Sequence, residues 1–386
     1  MKKIKLYNKI AKVGTDVFDR TRYEVGEAAE APDAIMVRSA ALHDLAFNPE
    51  LKAISRCGAG VNNIPIPRCT EAGIVVFNTP GANANGVKEL AVAALLLASR
   101  DIVEGINWTA SLAGAEDVAK AVEKGKSQFA GNEIAGKTLG VIGLGAIGGL
   151  VANAAVALGM TVVGCDPYLS VNGAWALSRH VNRAASYEDI YKQADYITLH
   201  VPATDSTRNM INKETLSLMR DGVRIINLSR ADIVNADDMR EAIASGKVKK
   251  YITDFPTEKT IGTDGIVTIP HLGASTAESE DNCAVMAAHE LVEFLELGNI
   301  KNSVNFPNVS LPAGLDHRIC VLHKNIPAVL SKLTTALSDM GINIENLASG
   351  SKGDVAYTII EIGCEAPAAA LEKFGLISEV IRVIVI

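Results

Sequence analysis

From the first residue to about Arg100, short apolar β-branched runs alternate with stretches whose apolar residues recur at helical spacing. "IKLYN", "AIMVRS", "LKAISRCGAG" and "GIVVFNTPG" each end in a polar or glycine-rich turn. That rhythm predicts a small parallel α/β domain, whose ligand side is the edge where the strands' carboxyl ends emerge. "KELAVAALLLASRDIVEGI" is apolar on several faces and predicts one long helix. From about Lys137 to Thr276 a second series holds six candidate strands, "TLGVIG", "TVVGCD", "DYITLHV", "VRIINLS", "KYITDF" and "GIVTIP", separated by helical patterns. A doubly wound parallel sheet is expected there. The helical run "AESEDNCAVMAAHELVEFLELG" is expected to return to the first domain, which otherwise lacks a closing element.

"KNSVNFPNVSLPAGLD" is rich in Asn and Pro, has no sustained period, and predicts a linker. Beyond it the pattern is strand, helix, strand, strand, helix, strand, the split βαβ order of a ferredoxin-like fold. The expected organisation is a first domain over 1–97 and 277–305, a second over 98–276, a linker over 306–316, and a third, separate module over 317–386.

Composition narrows the function. At 386 residues the chain is long enough for two or three domains. Thirty-seven basic residues against 44 acidic give a net charge of −7 without any basic run, so a nucleic-acid partner is not expected. Cys57, Cys69, Cys165, Cys283, Cys320 and Cys364 are scattered without a CxxC pair, which suggests buried thiols and neither a disulfide framework nor a metal site. "MKKIKLYNKI" lacks an apolar signal core and no apolar run reaches membrane-spanning length, so no membrane partner and a cytoplasmic location are expected.

"TLGVIGLGAIGGLVANAAVALGMTVVGCD" carries the strongest chemical signal. Gly143, Gly145 and Gly148 follow a strand and open a helix, so the backbone can approach a pyrophosphate at the helix N-terminus. Asp166 ends the next strand, at the spacing where an acid binds the adenosine ribose hydroxyls and repels a 2′-phosphate; NAD is expected over NADP. A nicotinamide enzyme also needs a group to move a proton. His271, at the carboxyl end of "GIVTIP", has the right chemistry, and Glu258 in "DFPTEK" is close enough in sequence to orient it. Arg230 leaves another strand end and could bind a carboxylate through two parallel hydrogen bonds. Asn235 reads as the N-cap of the next helix.

The NAD fingerprint, "NLSRADIVN", "DFPTE" and "PHLGAST", in this order, resemble the D-isomer-specific 2-hydroxyacid dehydrogenases over about the first 305 residues. The resemblance implies a triad in which Arg230 holds the substrate carboxylate, His271 exchanges the proton and Glu258 fixes its tautomer. It also implies that Ala146, Ile147, Pro202, Ser229, Asp254, Gly273 and Ala274 join the fingerprint residues around NAD. "AIMVRSA", "ISRCGAGVNNI" and "NTPGANANGVKEL" resemble the substrate loops of those members that act on 3-phospho-D-glycerate. On that likeness Arg38 and Arg56 face the phosphate, the backbone of Gly58, Ala59 and Gly60 faces the carboxylate, and Asn78 lies beside the substrate. The expected reaction is interconversion of 3-phospho-D-glycerate and 3-phosphooxypyruvate, the first step of L-serine synthesis.

Two other readings compete: action on an unphosphorylated acid such as glycerate or glyoxylate, and a non-catalytic NAD-sensing protein. The last 70 residues resemble an ACT domain, which implies amino-acid binding; His323, Asn325 and Asn343 match positions that bind L-serine in paired domains of this kind. A homodimer or homotetramer is expected. Three departures from the family pattern stand out: Ala231 follows Arg230, Asn235 replaces an acid, and "TDF" stands where Asp-Val-Phe is usual.

Overall fold

The computed structural model describes residues 1–314 and 317–386. Leu315 and Asp316, the last two residues of the expected linker, lie outside the described residues. The chain forms two compact units, one of residues 1–82 and 280–386 and the other of residues 83–279.

In the first unit, β1 (Lys2–Tyr7), β2 (Tyr23–Gly26), β3 (Ala34–Val37), β4 (Ala53–Arg56) and β5 (Val75–Asn78) form a parallel sheet in the order β2-β1-β3-β4-β5. Strand alternation sends Ile35, Val37, Ile54 and Val76 to one face, and Ala34, Met36, Ala53, Val75 and Phe77 to the other. The helix Ala277–Leu297 covers the latter through Cys283, Ala284, Ala287, Ala288, Leu291, Phe294 and Leu295.

The second unit holds β6 (Thr138–Ile142), β7 (Thr161–Cys165), β8 (Val181–Arg183), β9 (Tyr196–Leu199), β10 (Val223–Asn227), β11 (Val248–Thr253) and β12 (Ile266–Thr268). All pairings are parallel and the order is β12-β11-β10-β9-β6-β7-β8, so the chain reverses direction across the sheet between β6 and β9. The three-residue β8 makes seven strands where the apolar pattern showed six; it lies at the sheet's edge and only Val181 of it is partly buried among apolar neighbours. The expected single helix is two, Ala84–Ser99 and Ile102–Ser111, broken at Arg100, whose backbone is extended. The break sets Asp101 and Glu104 against Lys250, a lysine only 6% exposed, at 2.5 and 3.1 Å. A buried ammonium needs such partners, and they come from a segment far away in sequence.

β13 (Arg318–Lys324), β14 (Ile344–Lys352), β15 (Val355–Ile362) and β16 (Val380–Val385) form an antiparallel sheet in the order β14-β15-β13-β16. The helices Val329–Ser338 and Ala368–Gly375 cover one face, over Ile319, Val321, Ile360 and Ile362. The other face, with Cys320, Leu322, Tyr357, Ile359 and Ile384, is apolar as well, and it shares a core with Phe294, Ile300, Phe306 and Val309. Residues 317–386 thus pack into the first unit, where the sequence suggested a separate module. Tyr357 Oη donates to Gly298 O at 2.6 Å, Lys352 Nζ to Ser303 O at 3.0 Å, and Arg382 to the carbonyls of Leu51 and Pro49. Arg318 and Glu361, both nearly fully buried, form an ion pair at 2.5 Å.

Candidate active site

Gly143 ends β6 with φ +88°, a conformation that side chains resist, and a Cβ there would press on the His200 carbonyl. A Cβ on Gly148 would run into the Gly143 carbonyl oxygen, whereas the space over Gly145 is open. The turn therefore brings bare backbone to the start of the helix Ala146–Ala157, with Gly145, Ala146 and partly Ile147 accessible. Asp166, one residue beyond β7, accepts from Leu144 N at 2.9 Å and from Tyr168 N at 2.8 Å, which fixes its carboxylate beside the turn. A cavity of about 240 Å³ opens there, lined by Gly145, Ala146, Asp166 and Tyr168 among others. An exposed helix start, a cradle only glycine allows and an acid at the next strand end fit a dinucleotide such as NAD.

Other expected residues stand at the same sheet edge. Pro202 follows β9 and its carbonyl accepts from Thr207 Oγ1 at 2.5 Å; Ser229 follows β10 and donates to Leu199 O at 2.6 Å. Arg230 is exposed, its Nη1 donates to Ser229 O at 2.6 Å, and its guanidinium carbon lies 5.6 Å from the centre of the Phe255 ring. Phe255 meets the His271 imidazole at 4.6 Å between ring centres. Arg230 and His271 thus flank one aromatic ring. Asp254 is 1% exposed; burial raises its carboxyl pKa, an effect that the nearby His271, the Asp254 and Gly273 backbone N–H groups and Arg230 offset only in part. Ala274, partly buried, follows in the turn. Glu258 is exposed, and among the described residues no hydrogen bond or ion pair joins it to His271. Asn235 accepts from Asp237 N and Asp238 N, and so caps the helix Ala236–Ala244.

His200, unremarked in the sequence, lies beneath the glycine turn. Its Nε2 meets Thr198 Oγ1 at 2.9 Å, its Nδ1 is buried without a hydrogen-bond partner among the described residues, and burial lowers its pKa to about 4. A histidine directly after "DYITL", the strand next to the fingerprint strand, was the signal for it.

In the first unit Arg38 follows β3 and pairs with Glu280. Asn8 accepts from Ser39 N and Ala40 N at 3.0 and 2.7 Å and so pins the loop that carries Arg38. Arg56 Nε donates to Arg38 O at 3.1 Å. Gly58 has φ +145°, and a Cβ there would overlap the Arg56 guanidinium, so only glycine lets that cation lie across the loop. Asn78 Nδ2 donates to Ala59 O at 2.6 Å, and Thr79 N to Gly58 O at 3.1 Å, which fixes the 58–60 backbone. His323 is 3% exposed, with Nδ1 at 2.9 Å from Lys324 O and Nε2 at 2.9 Å from Thr358 Oγ1. Asn325 donates to Gly353 O and Asn343 to Glu345 Oε1, each at 2.9 Å, and both are exposed.

A parallel sheet with a glycine turn at the strand next to its reversal point and an acid one strand away defines a dinucleotide-binding α/β protein. Residues 92–274 match the family model described as D-isomer specific 2-hydroxyacid dehydrogenase, NAD binding domain, and residues 317–374 match that of the ACT domain. A D-3-phosphoglycerate dehydrogenase of Mycobacterium leprae is 34% identical over 385 residues, covering 94% of this chain and 70% of that protein. A hydroxypyruvate reductase of Thermotoga maritima is 37% identical over 283 residues, covering 69% and 85%. The NAD+-bound crystal structure of a 3-phosphoglycerate dehydrogenase from Entamoeba histolytica superimposes with a TM-score of 0.61 at 25% identity, over 79% of this chain and 98% of that one. The chain belongs to the D-isomer-specific 2-hydroxyacid dehydrogenase family and carries its NAD-binding domain and an ACT domain. It spans 55% of the length of a D-3-phosphoglycerate dehydrogenase from Methanocaldococcus jannaschii, to which it is 36% identical over 75% of its own. Among the described residues no helix is long and apolar enough to cross a membrane.

Proposed function

We propose that the chain interconverts 3-phospho-D-glycerate and 3-phosphooxypyruvate with NAD, as the first step of L-serine synthesis. The observation that carries this reading is the pair of cations at the carboxyl ends of β3 and β4. Arg56 lies across Gly58 and donates to the Arg38 carbonyl, and Arg38 is held by Glu280. A phosphomonoester calls for two such cations, whereas an unphosphorylated hydroxyacid leaves them without a task. NAD, held by the 143–148 turn and Asp166, supplies the hydride acceptor when bound. Arg230 grips the substrate carboxylate and polarises the adjacent carbon, and His271 takes the hydroxyl proton in the oxidative direction. The 58–60 backbone and Asn78 orient the substrate.

L-Serine or another amino acid binding near His323, Asn325 and Asn343, assembly as a homodimer or homotetramer, and a cytoplasmic location complete the proposal. His323 would contribute there by shaping the sheet beneath the ligand, since both its ring nitrogens are engaged.

A second reading, reduction of an unphosphorylated acid, draws on the likeness to the Thermotoga maritima hydroxypyruvate reductase. NADH oxidation with 3-phosphooxypyruvate and with hydroxypyruvate at matched concentrations decides between them. A strong preference for the phosphorylated acid, lost in Arg56→Met, is the expected outcome; equal rates would leave a dehydrogenase of another substrate. No turnover with any 2-keto acid would leave the NAD-sensing reading.

A further inference from the structure

Three charges meet beside the ends of β3 and β4 in the first unit. Arg38 stands one residue beyond β3, Arg56 ends β4, and Glu280 pairs with Arg38 from the first turns of the helix Ala277–Leu297. The buried Cys283 thiol, one helical turn beyond Glu280, feels all three. Burial is the main cause of its raised pKa; Arg56 and Arg38 draw it down, and Glu280 adds to the rise. The two arginines bear on Cys57 as well, and there the further acid is Glu290. Burial pushes Glu290 up to about 8, so it keeps its proton at neutral pH. Among the groups that bear on these two thiols, two cations and one ionised carboxylate are left.

Arg38 does not depend on Glu280 for its place. Asn8 fixes the loop that follows it through Ser39 N and Ala40 N, and Arg56 Nε donates to its carbonyl oxygen at 3.1 Å. The ion pair is half-open to solvent, with 44% of the Arg38 side chain and 42% of the Glu280 side chain exposed, and pairs of that kind contribute little to stability. Glu280 is also the fourth residue of its helix, and a helix start favours a negative charge. A cation already in place is thus joined to an anion that can be released.

We infer that Glu280 is a specificity-determining residue at the phosphate end of the substrate site. Its carboxylate stands in for the phosphate on Arg38, and a phosphorylated acid must displace it. A phosphomonoester, with about two negative charges at neutral pH, takes Arg38 over and is repelled by the carboxylate it displaces. An unphosphorylated acid leaves the pair intact, so no bare cation faces its neutral hydroxymethyl end. Glu280 therefore tempers the preference for phosphorylated over unphosphorylated acids. The inference rests on the reading above that Arg38 and Arg56 face a phosphate.

The test compares the full chain with Glu280→Gln, which removes the charge and keeps the shape. KM for 3-phosphooxypyruvate is expected to fall on the order of 3–10-fold, with kcat and the kcat/KM for hydroxypyruvate within about twofold. Inorganic phosphate, titrated calorimetrically into the NADH-saturated chain, should bind tighter in the variant by a similar factor. Glu278→Gln removes a charge two residues away, on a different side of the helix, and is expected to change none of these. An unchanged or raised KM in Glu280→Gln overturns the inference and makes Glu280 a support for Arg38. An equal gain in Glu278→Gln overturns it too, since net charge alone would then account for the effect. If the unaltered chain shows no preference for the phosphorylated acid, the phosphoglycerate reading fails, and the calorimetry still decides whether Glu280 competes with phosphate.

Discussion

Glu290 tests the electrostatics of the first unit apart from any catalysis. It sits on the helix Ala277–Leu297, 6% exposed, where Asn302 Nδ2 donates to one carboxyl oxygen at 2.9 Å and Ser55 Oγ to the other at 3.3 Å. Among the described residues no cation pairs with it, and burial pushes its pKa from 4.5 to about 8. Between those values the unfolded chain releases the proton that the folded chain keeps. The stabilisation is complete below pH 4.5, falls as pH rises, and is lost above about pH 8. At 1.36 kcal/mol per unit, the span sets a ceiling of about 5 kcal/mol. Glu290→Gln removes the titration and keeps the shape, with its carbonyl toward Asn302 and its amide toward Ser55. Subtracting the two melting curves cancels every other titrating group. At roughly 2–4 °C per kcal/mol for a unit of this size, the variant should gain on the order of 10 °C over the unaltered chain between pH 5 and pH 9. Thermal unfolding followed by circular dichroism in matched buffers reads the gap. A gap that stays constant across that range would refute the reasoning, because the carboxyl would then ionise in the folded chain as it does in water.

Two further outcomes follow from packing. Gly148→Ala drives a methyl into the Gly143 carbonyl; it should weaken NADH binding at least about tenfold in a fluorescence titration and cost about 1–3 kcal/mol of stability. Affinity equal to the unaltered chain would mean that the turn yields freely. Arg318→Met leaves the Glu361 carboxylate buried without its cation and should destabilise by about 3–5 kcal/mol in urea, with Arg318→Met/Glu361→Gln recovering much of the loss. A double variant no better than the single one would show that Arg318 acts through its bonds to the Leu297 and Pro312 carbonyls instead.

How far the sequence reveals this protein depends on how local each constraint is. The glycine turn is legible because its demands, a positive φ and a missing Cβ, fall on single residues between a strand and a helix. The strand runs are legible because alternation and burial repeat every two residues. The break after Ser99 is not, because Lys250, the partner that Asp101 and Glu104 meet there, lies 149 residues beyond Asp101. The docking of residues 317–386 was written in the chain but in a form easily misread. β13 and β15 are apolar on both faces, and a sheet with helices on one side only must find cover for the other. The burial of the two acids near His271 turns on direction rather than spacing. "DFPTEK" offers two acids four residues apart, and the resemblance to the family favours Glu258. In three dimensions the Thr257–Thr260 turn exposes Glu258, while the strand register carries Asp254 to the segment that holds His271. Sequence spacing can say that two carboxylates stand near the histidine; the turn and the strand end decide which of them is exposed and which is buried.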